Sequence, residues 1–197
     1  MLRVAVLVSG GGTNLQAIIN KVNEGYMPNV EISAVIASKP EAYALERAKK
    51  NNIPTKVIPR KDYADNIEFS KDLLKYVKSI NIDLVVFAGF NFILSSEFVN
   101  EYRNRMINVH PSLIPSFCGK GFYGLVPHQK ALEYGVKVTG ATVHFITEGC
   151  DEGPIILQKP IYVKDGDTPE TLQKRVMEEA EWEILPKAIK LISEGKV

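Results

Sequence analysis

Three groups of residues have the types and spacing that chemistry needs. The first is Ser9-Gly10-Gly11-Gly12-Thr13-Asn14. Glycines between a strand and a helix bring backbone N–H groups and the positive helix end to one point, an anion site without basic side chains, and phosphate is its obvious guest. As a dinucleotide fingerprint the turn is incomplete, because Leu15 stands in place of the third glycine and the second strand ends in Ala37-Ser38, with no acid for a ribose. No Gly-Lys-Ser/Thr follows, so it is not a P-loop either. The same residues also serve as a plain tight turn with Thr13 or Asn14 as the helix cap.

The second group is Asn108-Val109-His110-Pro111-Ser112. On a strand, alternation puts Asn108 and His110 on one face, roughly 7 Å apart at Cα. An Asn amide donates to a developing oxyanion, while His, with an unperturbed pKa near about 6.5, gives or takes a proton at neutral pH. A lone His also occurs as a satisfied, partly buried structural residue. The third group is Asp151, in the turn Gly149-Cys150-Asp151-Glu152-Gly153-Pro154. Alone it reads as a solvated turn residue. Delivered to His110, it would raise the imidazole pKa, fix its tautomer and relay a proton. His144, in Thr142-Val143-His144-Phe145, reads as a structural strand histidine, and His128 as a helix-start residue.

The elements that must position these groups follow from periodicity. Leu2 to Val8 is a continuous apolar run suited to a central strand, and Leu15, Ile18, Ile19 and Val22 then recur at helical spacing. Strands over Ile32 to Ala37, Thr55 to Ile58, Ile82 to Ala88 and Met106 to Val109 alternate with helices over Ala42 to Lys50 and around Phe69 to Val77. This alternation predicts an α/β domain with an open, mostly parallel twisted sheet, helices on both faces, and ligands at the strand C-termini. Pro111 to Gly124 is a loop and Gln129 to Tyr134 a helix. Val138 to Ile146 and Pro154 to Val163 are too close in sequence for a helical crossover and are expected as an antiparallel C-terminal pair. Thr168-Pro169-Glu170 starts a long final helix that Pro186 should bend or interrupt.

Composition bounds the function. With 24 Lys+Arg against 23 Asp+Glu, the net charge of +1 provides no global field for nucleic acid or an anionic membrane. Two cysteines, Cys118 and Cys150, without metal-ligand spacing argue against a disulfide scaffold or a structural metal and suit a reducing cytoplasm. The seven apolar residues Leu2 to Val8 are too few for a membrane span and lack a signal-peptide leader. A length of 197 residues is expected to hold one domain, residues 1–197, acting as a monomer or weak homodimer.

The combination of Val-Leu-Val-Ser-Gly-Gly-Gly-Thr-Asn-Leu-Gln-Ala-Ile near the N-terminus, Val-Phe-Ala-Gly-Phe-Asn-Phe-Ile-Leu-Ser at 86–95, Ile-Asn-Val-His-Pro-Ser-Leu-Ile-Pro at 107–115, and Asp151-Glu152-Gly153-Pro154-Ile155-Ile156 resembles the phosphoribosylglycinamide formyltransferase family. The resemblance covers nearly the whole chain; the Asn-x-His-Pro-Ser motif with its downstream Asp is shared with methionyl-tRNA formyltransferases and formyltetrahydrofolate hydrolases. At 197 residues the chain is expected to have no room for the C-terminal tRNA-binding or N-terminal regulatory domains of those relatives. It implies a phosphate-binding N-terminal half and a folate-binding C-terminal half. Gly11, Gly12, Thr13 and Asn14 would hold the substrate phosphate, and Glu181 the ribose, while Asn108, His110 and Asp151 would be catalytic. The folate pocket would include Phe90, Asn91, Phe92, Ile93, Leu94, Asn108, Ala141 and His144. Phe92 and Asn66 stand where the family commonly has arginines, so the charged folate tail is expected to be weakly held, with Lys120 as the best substitute.

The activity expected is formyl transfer from 10-formyltetrahydrofolate to the amine of glycinamide ribonucleotide, with no metal. Two alternatives stand beside it. A hydrolase would use water as acceptor and needs no phosphate cradle, and a non-catalytic module binding a phosphorylated metabolite needs no Asn108, His110 and Asp151 trio.

Overall fold

Apolar runs without polar alternation form the central strands of the computed structural model, which describes all residues from Met1 to Val197. In chain order the strands are β1 (Leu2–Val8), β2 (Val30–Ala37), β3 (Thr55–Val57), β4 (Leu84–Phe87), β5 (Met106–His110), β6 (Val138–Phe145) and β7 (Ile155–Tyr162). They form one sheet in the order β3-β2-β1-β4-β5-β6-β7. The first five are parallel, β6 is antiparallel to β5, and β7 is antiparallel to β6. The mostly parallel sheet and the antiparallel C-terminal pair are as the sequence predicts.

The helices are α1 (Thr13–Asn23), α2 (Ala44–Lys50), α3 (Asn66–Ser79), α4 (Ser96–Glu101), α5 (Val126–Tyr134), α6 (Pro169–Val176) and α7 (Trp182–Ser193). Alternation along β1 divides the core. Val4, Val6 and Val8 face α1, α2, α6 and α7 through Leu15, Ile18, Leu45, Leu172, Val176 and Ile184. Ala5 and Leu7 face α3 and α4 through Phe69, Leu73, Val77 and Phe98. With both faces covered, polar alternation has no role in the parallel strands. Connections leave β1 toward β2 on one side and β4 lies on the other, so the strand order reverses between β1 and β4. The crevice at such a reversal opens at the strand C-termini, and here Ser9 N–H donates to the Gly89 carbonyl across it at 3.1 Å. No helix is long and apolar enough to cross a membrane.

Several local expectations are corrected. Neither Thr13 nor Asn14 caps α1; the N-cap is Gly12 at φ 72°, with no side-chain cap. Helix α2 begins at Ala44 rather than Ala42, and α4 is an additional helix, too short to show a period in the sequence. Pro186 lies inside a continuous α7. Its missing N–H removes one bond, to the Trp182 carbonyl, which the helix tolerates. The interruption comes earlier, as a π turn at Met177–Glu181 between α6 and α7.

One buried ion pair ties the chain before α6 to that helix. Asp167 and Arg175 are 4% and 13% exposed and meet as a two-pronged pair, with Arg175 Nη1 donating to Oδ2 at 2.7 Å. Arg175, aided by the Lys164 N–H and the Thr171 hydroxyl and opposed by burial, holds the Asp167 carboxyl well below the usual carboxylate range. A depressed folded-state pKa adds stability above the unfolded value, about 3.9, and loses it as pH falls through the folded value. Asp167→Asn is therefore expected to lower unfolding stability at pH 7 by about 1–3 kcal/mol, the scale of charge-assisted hydrogen bonds. The difference from wild type should shrink below about pH 4, which urea unfolding at several pH values measures.

Candidate active site

The pairing of β5 with β6 assembles the first part of the site. Asn108 lies opposite His144, and His110 opposite Thr142. Because side chains alternate along each strand and directly opposed residues share a face, all four project from the same side of the sheet. Thr142 Oγ1 donates to the Ser112 carbonyl at 2.7 Å and accepts from the Ile114 N–H at 3.1 Å, fixing the chain as it leaves His110. Ser112, whose hydroxyl donates to the Ser116 carbonyl, is likewise part of the scaffold.

The turn between β6 and β7 then brings Asp151 back over that face. Asp151 sits at φ 60°, a left-handed conformation that Asp tolerates better than most residues and that often marks functional positions. Its Oδ2 lies 3.5 Å from His110 Nδ1, and its Oδ1 lies 3.5 Å from His144 Nε2. Oδ2 also accepts the Gly119 N–H at 2.9 Å. One carboxylate thus spans two imidazoles and a loop amide.

The outer nitrogens fix the tautomers. His110 Nε2 lies 3.0 Å from the Phe117 carbonyl and His144 Nδ1 lies 2.8 Å from the Phe145 carbonyl. A carbonyl only accepts, so each of these nitrogens carries a proton. In the neutral rings the lone pairs then face inward, on His110 Nδ1 toward Asp151 and on His144 Nε2 toward both Asp151 and the Asn108 amide at 3.4 Å. Any further proton entering the cluster therefore settles between an imidazole and Asp151. Burial pushes the His110 pKa down against the charge of Asp151 and the bond to Phe117. For Asp151, burial acts to raise the pKa, but the two facing imidazoles, His144 and His110, and the Gly119 N–H outweigh it and leave the carboxyl below its ordinary value. The resting pair is a neutral His110 beside an ionised Asp151.

This cluster lines a cavity of about 570 Å³, a size typical of small-molecule sites. Thr13 and Asn14 lie in its wall together with Met177 and Glu181, and Phe90, Asn91, Phe92, Ile93 and Leu94 with Ile146 and Thr147. Lys120 is in the wall as well. Gly11 and Gly12 shape the turn but lie outside the wall. Ala141, expected along the pocket, is fully buried in the core instead, because its alternation along β6 turns it to the helix-covered face. Glu181 lines the cavity beside Asn14, and the π turn is what delivers it: one extra residue per turn rotates everything downstream. Its buried carboxyl accepts from Asn14 Nδ2 at 2.7 Å, while burial raises its pKa against that bond. Phe92 packs against Phe69 and Phe90, with ring centroids 6.0 and 5.5 Å apart, and Asn66 accepts from Arg60 Nε at 2.7 Å.

The sequence does not reveal the Phe117 carbonyl or the Gly119 N–H, since any residue supplies those groups. His144 carries one usable signal, its place on a strand expected near the Asp151 turn, but only the β5–β6 register gives it meaning.

The chain matches the formyl transferase family over residues 2–189. It is 39% identical to the phosphoribosylglycinamide formyltransferase of Haemophilus influenzae, over 100% of this chain and 90% of that protein. It is also 45% identical to the human trifunctional purine biosynthetic protein adenosine-3, over 99% of this chain but only 19% of that protein, so it spans about a fifth of the length of such relatives. The crystal structure of glycinamide ribonucleotide transformylase 1 from Symbiobacterium toebii superposes with a TM-score of 0.92 at 42% identity, covering 99% of this chain and 89% of that one. That of a phosphoribosylglycinamide formyltransferase from Coxiella burnetii gives 0.89 at 39%, covering 98% and 88%. With this agreement in sequence and fold, the chain belongs to the formyl transferase family, among its phosphoribosylglycinamide formyltransferases.

Proposed function

We propose that this chain transfers the formyl group of 10-formyltetrahydrofolate to the amine of glycinamide ribonucleotide by direct attack through a tetrahedral intermediate. The observation that carries the reading is Asp151, set 3.5 Å from both His110 and His144 in the wall of a cavity that Thr13 and Asn14 of α1 and the Phe90–Leu94 segment also line. The phosphate end fits the ribonucleotide, with Gly11, Gly12, Thr13 and Asn14 at the N-terminus of α1 and Glu181 beside Asn14 for the ribose. The other end fits a flat heteroaromatic folate, since Phe90 and Phe92 offer ring faces and edges.

The neutral amine attacks the formyl carbon, and charge develops on the formyl oxygen. Asn108 donates its amide there, and the oxyanion replaces the Phe117 carbonyl at His110 Nε2. Asp151 stabilises the second proton on Nδ1, so His110 becomes a better donor as the negative charge grows. The attacking nitrogen must lose a proton and the folate nitrogen must gain one, and Asp151 with His110 relays it. Holding both reactants in line supplies much of the remaining acceleration. We place this activity in the cytoplasm, on small molecules without nucleic-acid or membrane partners, in a monomer or weak homodimer.

Purified protein given 10-formyltetrahydrofolate should turn over rapidly only when glycinamide ribonucleotide is added; equal rates without the amine would make it a hydrolase. Thr13→Ala with Asn14→Ala should raise KM for the ribonucleotide by about tenfold, the cost of about 1.4 kcal/mol of ground-state binding. Folate affinity should stay within twofold, and titration of each substrate separately reads both.

A further inference from the structure

The glycine turn offers an anion backbone N–H groups, and such groups bind only if something aims them. The N–H groups of Gly11, Gly12, Thr13 and Asn14 donate to no group of the protein. The carbonyls of the turn, by contrast, are all held. Gly10 O accepts the Ala44 N–H at 3.1 Å, Gly11 O accepts Arg47 Nε at 2.8 Å, and Gly12 O accepts the Gln16 N–H at 2.9 Å. These peptides are trans, and in a trans peptide the C=O and N–H point opposite ways. Tying the Gly10 and Gly11 carbonyls to α2 therefore turns the Gly11 and Gly12 N–H groups away from α2. The contact is close, since a Cβ on Gly12 would stand 2.6 Å from that of Ala44.

We infer that Arg47 is a positioning residue for the phosphate of the ribonucleotide, holding the Gly11 carbonyl from behind so that the Gly12 N–H faces the anion. This rests on the substrate proposed above and names what prepares its phosphate site. Of the three ties, two come from backbone N–H groups, and only the one at Gly11 depends on a side chain. That side chain is itself fixed. Arg47 is half-buried, its Nη1 donates to Gln16 Oε1 of α1 at 3.1 Å, and its guanidinium lies 5.1 Å from the centre of the Tyr43 ring. It stands outside the cavity wall, so it acts through the turn and not by touching substrate. The peptide it holds joins two glycines, whose dihedrals are the freest of any residue. Nothing lies within 4 Å of where a Gly11 Cβ would be, so the released peptide has room to rotate and present its carbonyl oxygen where the N–H stood. An oxygen there repels a phosphate that the N–H attracts.

The test measures kcat and KM with two acceptors, glycinamide ribonucleotide and its dephosphorylated form, for wild type, Arg47→Met and Arg47→Gln. Along the side chain, Gln places an uncharged N–H donor where Arg47 has Nε, and Met places a methyl group there, so the pair separates the hydrogen bond from charge and bulk. Arg47→Met should raise KM for the ribonucleotide at least about tenfold, the scale of one charge-assisted hydrogen bond, with kcat within about threefold. Its kcat/KM for the dephosphorylated acceptor should stay within about twofold, because the turn then has no anion to hold. Arg47→Gln should keep KM for the ribonucleotide within about threefold of wild type. Equal losses with both acceptors in Arg47→Met would make the arginine a structural tie, and equal losses in Arg47→Met and Arg47→Gln would assign the effect to charge. Either result overturns the inference, as does wild-type behaviour of Arg47→Met. A wild-type enzyme with the same kcat/KM for both acceptors overturns the phosphate reading and the role of Arg47 with it, whereas discrimination that survives in Arg47→Met removes only Arg47.

Discussion

His110→Ala is expected to lower kcat by at least about a hundredfold, the usual scale of general acid–base catalysis, with KM for either substrate changed by only a few fold. The ring is 4% exposed and held by the Phe117 carbonyl and Asp151, so its proton is used in the transition state rather than in ground-state binding. Asp151→Asn should be comparably severe, because the amide places a donor or a neutral oxygen against His110 Nδ1 and no longer favours the imidazolium. If the two act as one unit, the double variant is no worse than the poorer single variant within a few fold. Losses that multiply in full would show that each acts independently. The acid limb of kcat/KM separates the contributors: Asp151, already below its ordinary value, stays ionised until well into acid, so a limb near neutrality belongs to the substrate amine or to His110.

The second large effect comes from a glycine with no functional group. A Cβ on Gly153 would stand 1.7 Å from the Phe145 carbonyl oxygen, backbone that cannot yield without opening the start of the β6–β7 pair. Gly153→Ala must therefore shift the turn, and Asp151, two residues earlier, is 3.5 Å from each of two imidazoles and moves with it. We expect kcat to fall nearly as far as in Asp151→Asn, with stability lower by about 1–3 kcal/mol, the usual cost of overpacking. Gly149→Ala is the control. The atoms nearest its Cβ would belong to the exposed Glu152 side chain, whose carboxylate end can swing aside, so activity should stay within twofold. A Gly153→Ala enzyme with wild-type kcat would mean that the turn does not set the position of Asp151.

Residue types and local periods are enough for the frame of this protein. Apolar runs specify strands buried on both faces, helical spacing specifies α1 and α3, and period-two alternation by itself puts Asn108 and His110 on one face. These are interactions between neighbours in the chain, which is why the sequence expresses them. The site itself depends on groups far apart in sequence. Asp151 meets His110 only because β6 returns antiparallel to β5 in a register opposing His144 to Asn108, and because the turn holds Asp151 at φ 60°. Glu181 reaches Asn14 through a π turn, a phase shift that the apolar pattern of α6 and α7 does not display. Phe117 and Gly119 contribute a carbonyl and an N–H common to almost every residue. Backbone groups carry no sequence signature, and register and helical phase are settled only when the packed elements meet, so these contacts are decided by tertiary structure alone.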